Sequence, residues 1–191
     1  MKSAIAVRGR SASVRQESFD RERGAQVGGF TLLETLAVAA ILGILVAIAA
    51  PAWLSFMNAK TLTTAQDQVY LAMRQAQTDA KHSHTERRVS FREQNGQVEL
   101  AIHDPDALLT ALQWQPLPKG VHIDAESSLP NSGGIHYVRF DQNGSAKNLG
   151  RLTLKGRHSS RTLRCIFVST LLGALRKASD NRTPRDGKYC Y

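Results

Sequence analysis

Hydrophobic positions fall along this chain in three successive patterns. From Phe30 to Met57 they are continuous: 28 residues, mainly Leu, Ala, Ile and Val, with Glu34 the single charged one. About 20 such residues cross a bilayer as a helix. The pattern then becomes periodic. Leu62, Ala65, Val69, Met73, Ala76 and Ala80 recur at three- and four-residue steps, separated by Thr64, Gln66, Asp67, Gln68, Arg74, Gln75 and Asp79. That spacing places one apolar stripe along a helix. Together the two stretches predict a single helix from about Thr31 to Lys81, about 75 Å long at about 1.5 Å per residue.

The third pattern is alternation. Arg88-Val89-Ser90-Phe91-Arg92 and Val98-Glu99-Leu100-Ala101-Ile102 flank Asn95-Gly96, a strong hairpin signal. Val121–Asp124, Ile135–Asp141, Arg151–Leu154 and Leu163–Val168 read as further short strands. His103 to Leu117, with Asp-Pro and Pro116, reads as loop with a short strand or turn, and Glu126 to Gly134 as turn. A long helix over short antiparallel strands is an α+β architecture: a membrane half and an amphipathic half of one helix, packed on a small antiparallel β-sheet domain.

Charge changes the picture at the two ends. The formal charge is +9. Residues 1–29 carry six Lys/Arg against three acids, and residues 147–191 carry eleven against two, while residues 60–146 hold eight against ten. The polar leader lacks the basic start, apolar stretch and small-residue cleavage site of a Sec-type signal peptide. Its Arg excess favours a cytoplasmic side for the leader under the positive-inside rule. The basic C-terminal third has two readings. It is either a solvated surface with counterions or a polyanion patch built from Arg157, Arg161, Arg164, Arg176 and Lys177. Phosphate contacts need only such cations. A row of aromatics for stacking bases is missing from this stretch.

Cys165 and Cys190 are the two cysteines, and they form no CxxC. In an oxidising compartment they pair as one disulfide; in a reducing cytosol they are two unrelated thiols. His82 and His84 stand two apart at a helix end, where they point in different directions. No metal site is expected there. The chain has no G-x-S-x-G, H-E-x-x-H, P-loop or Gly-rich dinucleotide turn, so neither a catalytic site nor a cofactor is expected.

An ordinary signal anchor does not account for Glu34, because a charge in a membrane helix costs at least about 2–3 kcal/mol unless it finds a partner. Gly29-Phe30-Thr31-Leu32-Leu33-Glu34, followed by the apolar run, resembles the class III signal of type IV pilins and type II secretion pseudopilins. The stretch from Tyr137-Val138-Arg139-Phe140 through Asn143-Gly144 to Ile166-Phe167-Val168-Ser169 and Gly173 is similar, more narrowly, to the GspH/FimT family of minor pseudopilins.

The resemblance implies a bacterial filament subunit with a pilin-like fold. A prepilin peptidase would cut after Gly29 and N-methylate Phe30. Glu34 would then meet the α-ammonium of a neighbouring subunit, and Pro51 would loosen the helix. Partners would be that peptidase, other pilins, an inner-membrane assembly platform and the membrane itself. The implied organisation is leader 1–29, membrane or filament-core helix 30–57, amphipathic half 58–83, periplasmic β-rich domain 84–178 and polar basic tail 179–191. A periplasmic domain is the setting in which Cys165 and Cys190 pair. Among FimT-like members tied to competence, a Gly-Arg-x-Arg run is implicated in DNA capture. Here that stretch is Gly173-Ala174-Leu175-Arg176, with Ala174 in place of the first arginine. DNA is the alternative partner.

Overall fold

The computed structural model describes residues 29–157 and 159–191, without the side chains of residues 159–161. All but Gly29 of the expected leader lies outside the described residues. The chain divides into two compact units, Met1–Gly43 and Ile44–Tyr191. The first contributes the start of the helix α1, which runs over Leu32–Ser83. The second holds the remainder of α1 and all the strands described below.

Within α1 the apolar residues have two environments. Every residue from Leu32 to Phe56 is exposed, whereas Leu62, Ala65, Val69, Met73, Ala76 and Ala80 are at most 1 % exposed. The three- and four-residue steps of the second set are therefore the stripe that meets the β-domain. The small side chains at 65, 76 and 80 let the backbone approach closely. Gln66, Ala72 and Gln77 complete the buried face.

The strands number nine among the described residues. They are β1 (Arg87–Gln94), β2 (Gln97–His103), β3 (Gln115–Pro116), β4 (Val121–Ile123), β5 (Asn131–Ser132), β6 (Ile135–Phe140), β7 (Gly150–Gly156), β8 (Ser159–Val168) and β9 (Leu175–Ser179). They form two sheets rather than one. The first has the order β3-β2-β1-β6-β5, and the second the order β4-β7-β8-β9. Every pairing is antiparallel.

Asn95 and Gly96 join β1 to β2 with φ of 53° and 72°. A two-residue turn with both φ positive matches the strand twist and sets the register, Gln94 opposite Gln97. Alternation then sends Val89 and Phe91 of β1, Val98 and Leu100 of β2, and Val138 and Phe140 of β6 into one core. Leu152 and Leu154 of β7 and Ile166 and Val168 of β8 enter the same core from the second sheet. The buried stripe of α1 belongs to that cluster too, so one hydrophobic core serves helix and both sheets.

Candidate functional site

The N-terminal motif has a local geometry of its own. Thr31 precedes the helix, and its Oγ1 accepts a hydrogen bond from the Glu34 amide at 3.2 Å. Thr31-x-x-Glu34 is thus the spacing of a helix capping box. A carboxylate in the first turn also faces the positive end of the helix dipole. Glu34 therefore suits the start of this helix before any neighbour is considered. Phe30 is 78 % exposed, and nothing lies within 4 Å of where a Cβ on Gly29 would stand.

Pro51 lies inside α1. Its missing N–H leaves the Ala47 carbonyl without the usual donor four residues on. Trp53 and Phe56 follow, both exposed, with ring centroids 6.3 Å apart. The helix is long and apolar enough to cross a membrane, and none of its apolar window is buried.

The two cysteines are joined, with Cα atoms 6.3 Å apart, a span a disulfide bridges readily. Cys165 and Cys190 are completely buried with Leu163, against Phe167. The chain end is docked as well. Glu126 accepts from the amides of Tyr189 (2.9 Å) and Cys190 (3.3 Å). Arg151, only 6 % exposed, donates through Nε to the Glu126 carbonyl at 2.8 Å and through a terminal nitrogen to the Cys190 carbonyl. Its other terminal nitrogen is 3.7 Å from the Glu126 carboxylate. What the sequence presents as a polar tail is polar along its exposed stretch and anchored at Cys190.

The cations of the expected polyanion patch take up separate positions. Arg164 is 3.3 Å from Asp180. Lys177 is 2.9 Å from Asp67 of α1, with the Tyr70 ring 5.2 Å away. Arg176, its neighbour in β9, lies over the Phe167 ring at 4.7 Å. Successive side chains of a strand face opposite ways, so these two cations do not share a face. Arg157 is exposed at the β7–β8 turn, where its amide donates to the Gly120 carbonyl at 2.8 Å. The side chain of Arg161 lies outside what the structure describes. Gly173, at the head of the Gly-Ala-Leu-Arg stretch, has φ of 77°, and a Cβ there would stand 2.4 Å from Nε2 of Gln77. Close packing on α1 requires that glycine.

Two buried polar residues of α1 gave no signal in the sequence. Nε2 of Gln66 donates to the carbonyls of Cys165 (2.8 Å) and Ala178 (2.7 Å), tying the helix to β8 and β9. Nε2 of Gln77 does the same to Gly144 (2.7 Å) and Gly173 (3.2 Å). In the other sheet His103, 6 % exposed, has Nδ1 2.6 Å from the Asp104 carbonyl and Nε2 2.9 Å from the Ser90 hydroxyl. A carbonyl only accepts, so Nδ1 carries the proton and the neutral ring accepts from Ser90. Burial, then the positive charge of Arg88, push this imidazole below its ordinary value, against the Asp104 carbonyl and carboxylate that pull it up. Ser90 is fully buried, so this pair has no access to a substrate. Among the described residues no group of three His, Cys, Asp or Glu side chains is arranged to hold a metal.

No protein-family model matches the sequence. No curated protein matches it either. Among solved structures the chain is similar to the type IV minor pilin FimU of Pseudomonas aeruginosa strain PAO1 in two crystal forms. In space group P21 the TM-score is 0.43 at 10% identity, over 63% of this chain and 90% of that one. In space group P65 it is 0.43 at 9% identity, over 61% and 92%.

Proposed function

We propose that the chain is a minor pilin or pseudopilin subunit of a type IV pilus or a type II secretion pseudopilus. It enters the bacterial inner membrane through residues 30–57, with the β-domain on the periplasmic side. A prepilin peptidase cuts it after Gly29 and methylates Phe30. One observation carries the reading: directly after Gly29-Phe30-Thr31-Leu32-Leu33-Glu34, a single helix exposes its apolar residues as far as Phe56 and buries its stripe from Leu62 onward. An apolar surface of that length needs lipid or other subunits to cover it. The second half of the same helix already has its cover in the β-domain.

The reading gives Glu34 a second role. After cleavage Phe30 bears an α-ammonium, which N-methylation leaves positive. Packed against a neighbour, Glu34 neutralises that charge. Such a pair adds little net stability, but one partner alone is costly, so the pairing rewards only a correctly docked subunit. The test is intact mass and N-terminal sequence of membrane-extracted protein, with and without prepilin peptidase. A mature chain starting at N-methylated Phe30 supports the reading. An uncut chain beside active peptidase leaves a plain signal anchor.

A further inference from the structure

Immediately beyond the exposed apolar stretch of α1 the β-domain opens a cleft of about 220 Å³. That is room for about seven waters at about 30 Å³ each. Its walls are Asn58, Thr61 and Leu62 of α1, Lys119 and Gly120 of the β3–β4 connection, and Gly156 and Arg157 of the β7–β8 turn. The walls are tightly set. The Arg157 amide donates to the Gly120 carbonyl, and a Cβ on Gly156 would stand 3.3 Å from Leu62. Lys119 and Arg157 are exposed, and among the described residues neither has a carboxylate within ion-pair reach. In the second sheet Arg151, Lys155, Arg164 and Lys177 each have an acid within ion-pair distance. Two cations without an acid partner, lining one cleft together with Asn58, suit an oxyanion.

The position along α1 selects which oxyanion. Trp53 and Phe56 stand exposed at the end of the apolar run, the place where aromatic residues anchor at a membrane interface. Asn58 to Leu62 lie about 7–14 Å further along the axis than Trp53, at about 1.5 Å per residue. Headgroups occupy about 5–7 Å on each side of the hydrocarbon, and long Lys and Arg side chains extend further toward it. We propose that this cleft binds the phosphate of an anionic phospholipid, through Lys119 and Arg157, and so fixes the β-domain against the membrane surface before the subunit is extracted into a filament. The inference rests on the membrane-insertion reading above.

Trp53 is a reporter for this site. Full-length protein carrying W114F, which leaves Trp53 as the one indole, is placed in phosphatidylcholine vesicles. Brominated phosphatidylglycerol and brominated phosphatidylcholine are compared as quenchers at equal mole fraction. The expected result is preferential quenching by phosphatidylglycerol, reflecting on the order of ten-fold local enrichment by two surface cations. The preference disappears in K119Q/R157Q, while quenching by phosphatidylcholine is unchanged, which verifies that the variant still inserts. Equal quenching by the two lipids, or a preference that survives the double substitution, overturns the proposal. So does loss of the preference on adding millimolar inorganic phosphate at constant ionic strength, which marks a site for free anions. Absence of quenching by either lipid removes the membrane reading itself, and the cleft proposal with it.

Discussion

Gln66 is the point where α1 is fastened to the second sheet, and its substitution separates polar fastening from apolar packing. One carboxamide nitrogen, on a side chain 5 % exposed, serves two backbone carbonyls, Cys165 at 2.8 Å and Ala178 at 2.7 Å. In Gln66→Leu the volume is nearly kept, and Cys165 and Ala178, which face each other in the β8–β9 pairing, each lose a second donor in a place closed to water. A hydrogen bond is worth about 0.5–1.5 kcal/mol net, so the two together give about 1–3 kcal/mol. For a domain of this size that is a fall in Tm on the order of 5 °C. Gln66→Glu goes further. At neutral pH a carboxylate has no hydrogen to donate and faces two carbonyl dipoles, and burial raises its pKa. The glutamate variant is therefore expected to be the less stable of the two at pH 8 and to recover relative to the leucine variant as the pH falls toward 5, where a protonated carboxyl donates again. Urea unfolding of the fragment from Ser55 to Tyr191, followed at several pH values, measures both. A loss below about 0.5 kcal/mol in Gln66→Leu, or parallel pH profiles for the two variants, refutes the assignment of these two hydrogen bonds as the fastening.

Further expectations follow from the same geometry. Glu34→Ala should leave cleavage after Gly29 largely intact and reduce incorporation into filaments, seen by comparing processed protein in membranes with protein in sheared filaments; normal entry of the variant would remove the role given to Glu34. Reducing Cys165–Cys190, which encloses a 25-residue separation, should lower stability by about 3–4 kcal/mol on the loop-entropy estimate, measured by urea midpoints with and without reductant. Because Arg151 and Glu126 also hold Cys190, Arg151→Ala should make the bridge more easily reduced, read as faster thiol release. His103 has a folded pKa below its ordinary 6.5, so between those values the unfolded chain binds more protons than the folded one. Stability is then fully present above about pH 6.5 and declines as the pH falls toward the folded value, by at most about 1.4 kcal/mol per unit. His103→Gln should flatten that slope in unfolding experiments between pH 8 and pH 5.

The features visible in the sequence are those with a periodic or local signature. The stripe Leu62-Ala65-Val69-Met73-Ala76-Ala80 is the buried face of α1, and the expected helix ends differ from Leu32–Ser83 by one or two residues. Asn95-Gly96 closes the hairpin where its turn chemistry requires, and the alternating runs at 135, 151 and 163 are β6, β7 and part of β8. β9 left no alternation to read: of Leu175-Arg176-Lys177-Ala178-Ser179 only Leu175 is buried, as befits an edge strand. β3 and β5, two residues each, are shorter than any pattern. The division into two sheets depends on long-range pairing. β4 lies in sequence between strands of the first sheet, yet it pairs with β7 of the second.

The chemistry was less visible than the fold, for a physical reason that Arg151 illustrates. A cation in a basic C-terminal stretch reads as surface, and seven of the cations from Lys147 onward are indeed exposed, with Lys155 and Arg164 half-buried. Arg151 instead lies under the docked chain end, because Glu126, 25 residues upstream, and the Cys190 carbonyl, 39 residues downstream, reach it from opposite sides. No window of sequence contains all three. The same holds for Lys119 and Arg157: they are brought to one cleft by Gly120 and the β7–β8 turn, while Arg164 and Lys177, nearer to one another in sequence, are each taken by an acid. Net charge counts the cations without saying which of them have an acid beside them. Which cations find an acid is settled by the pairing of strands, and that pairing leaves Lys119 and Arg157 together beside the apolar half of α1.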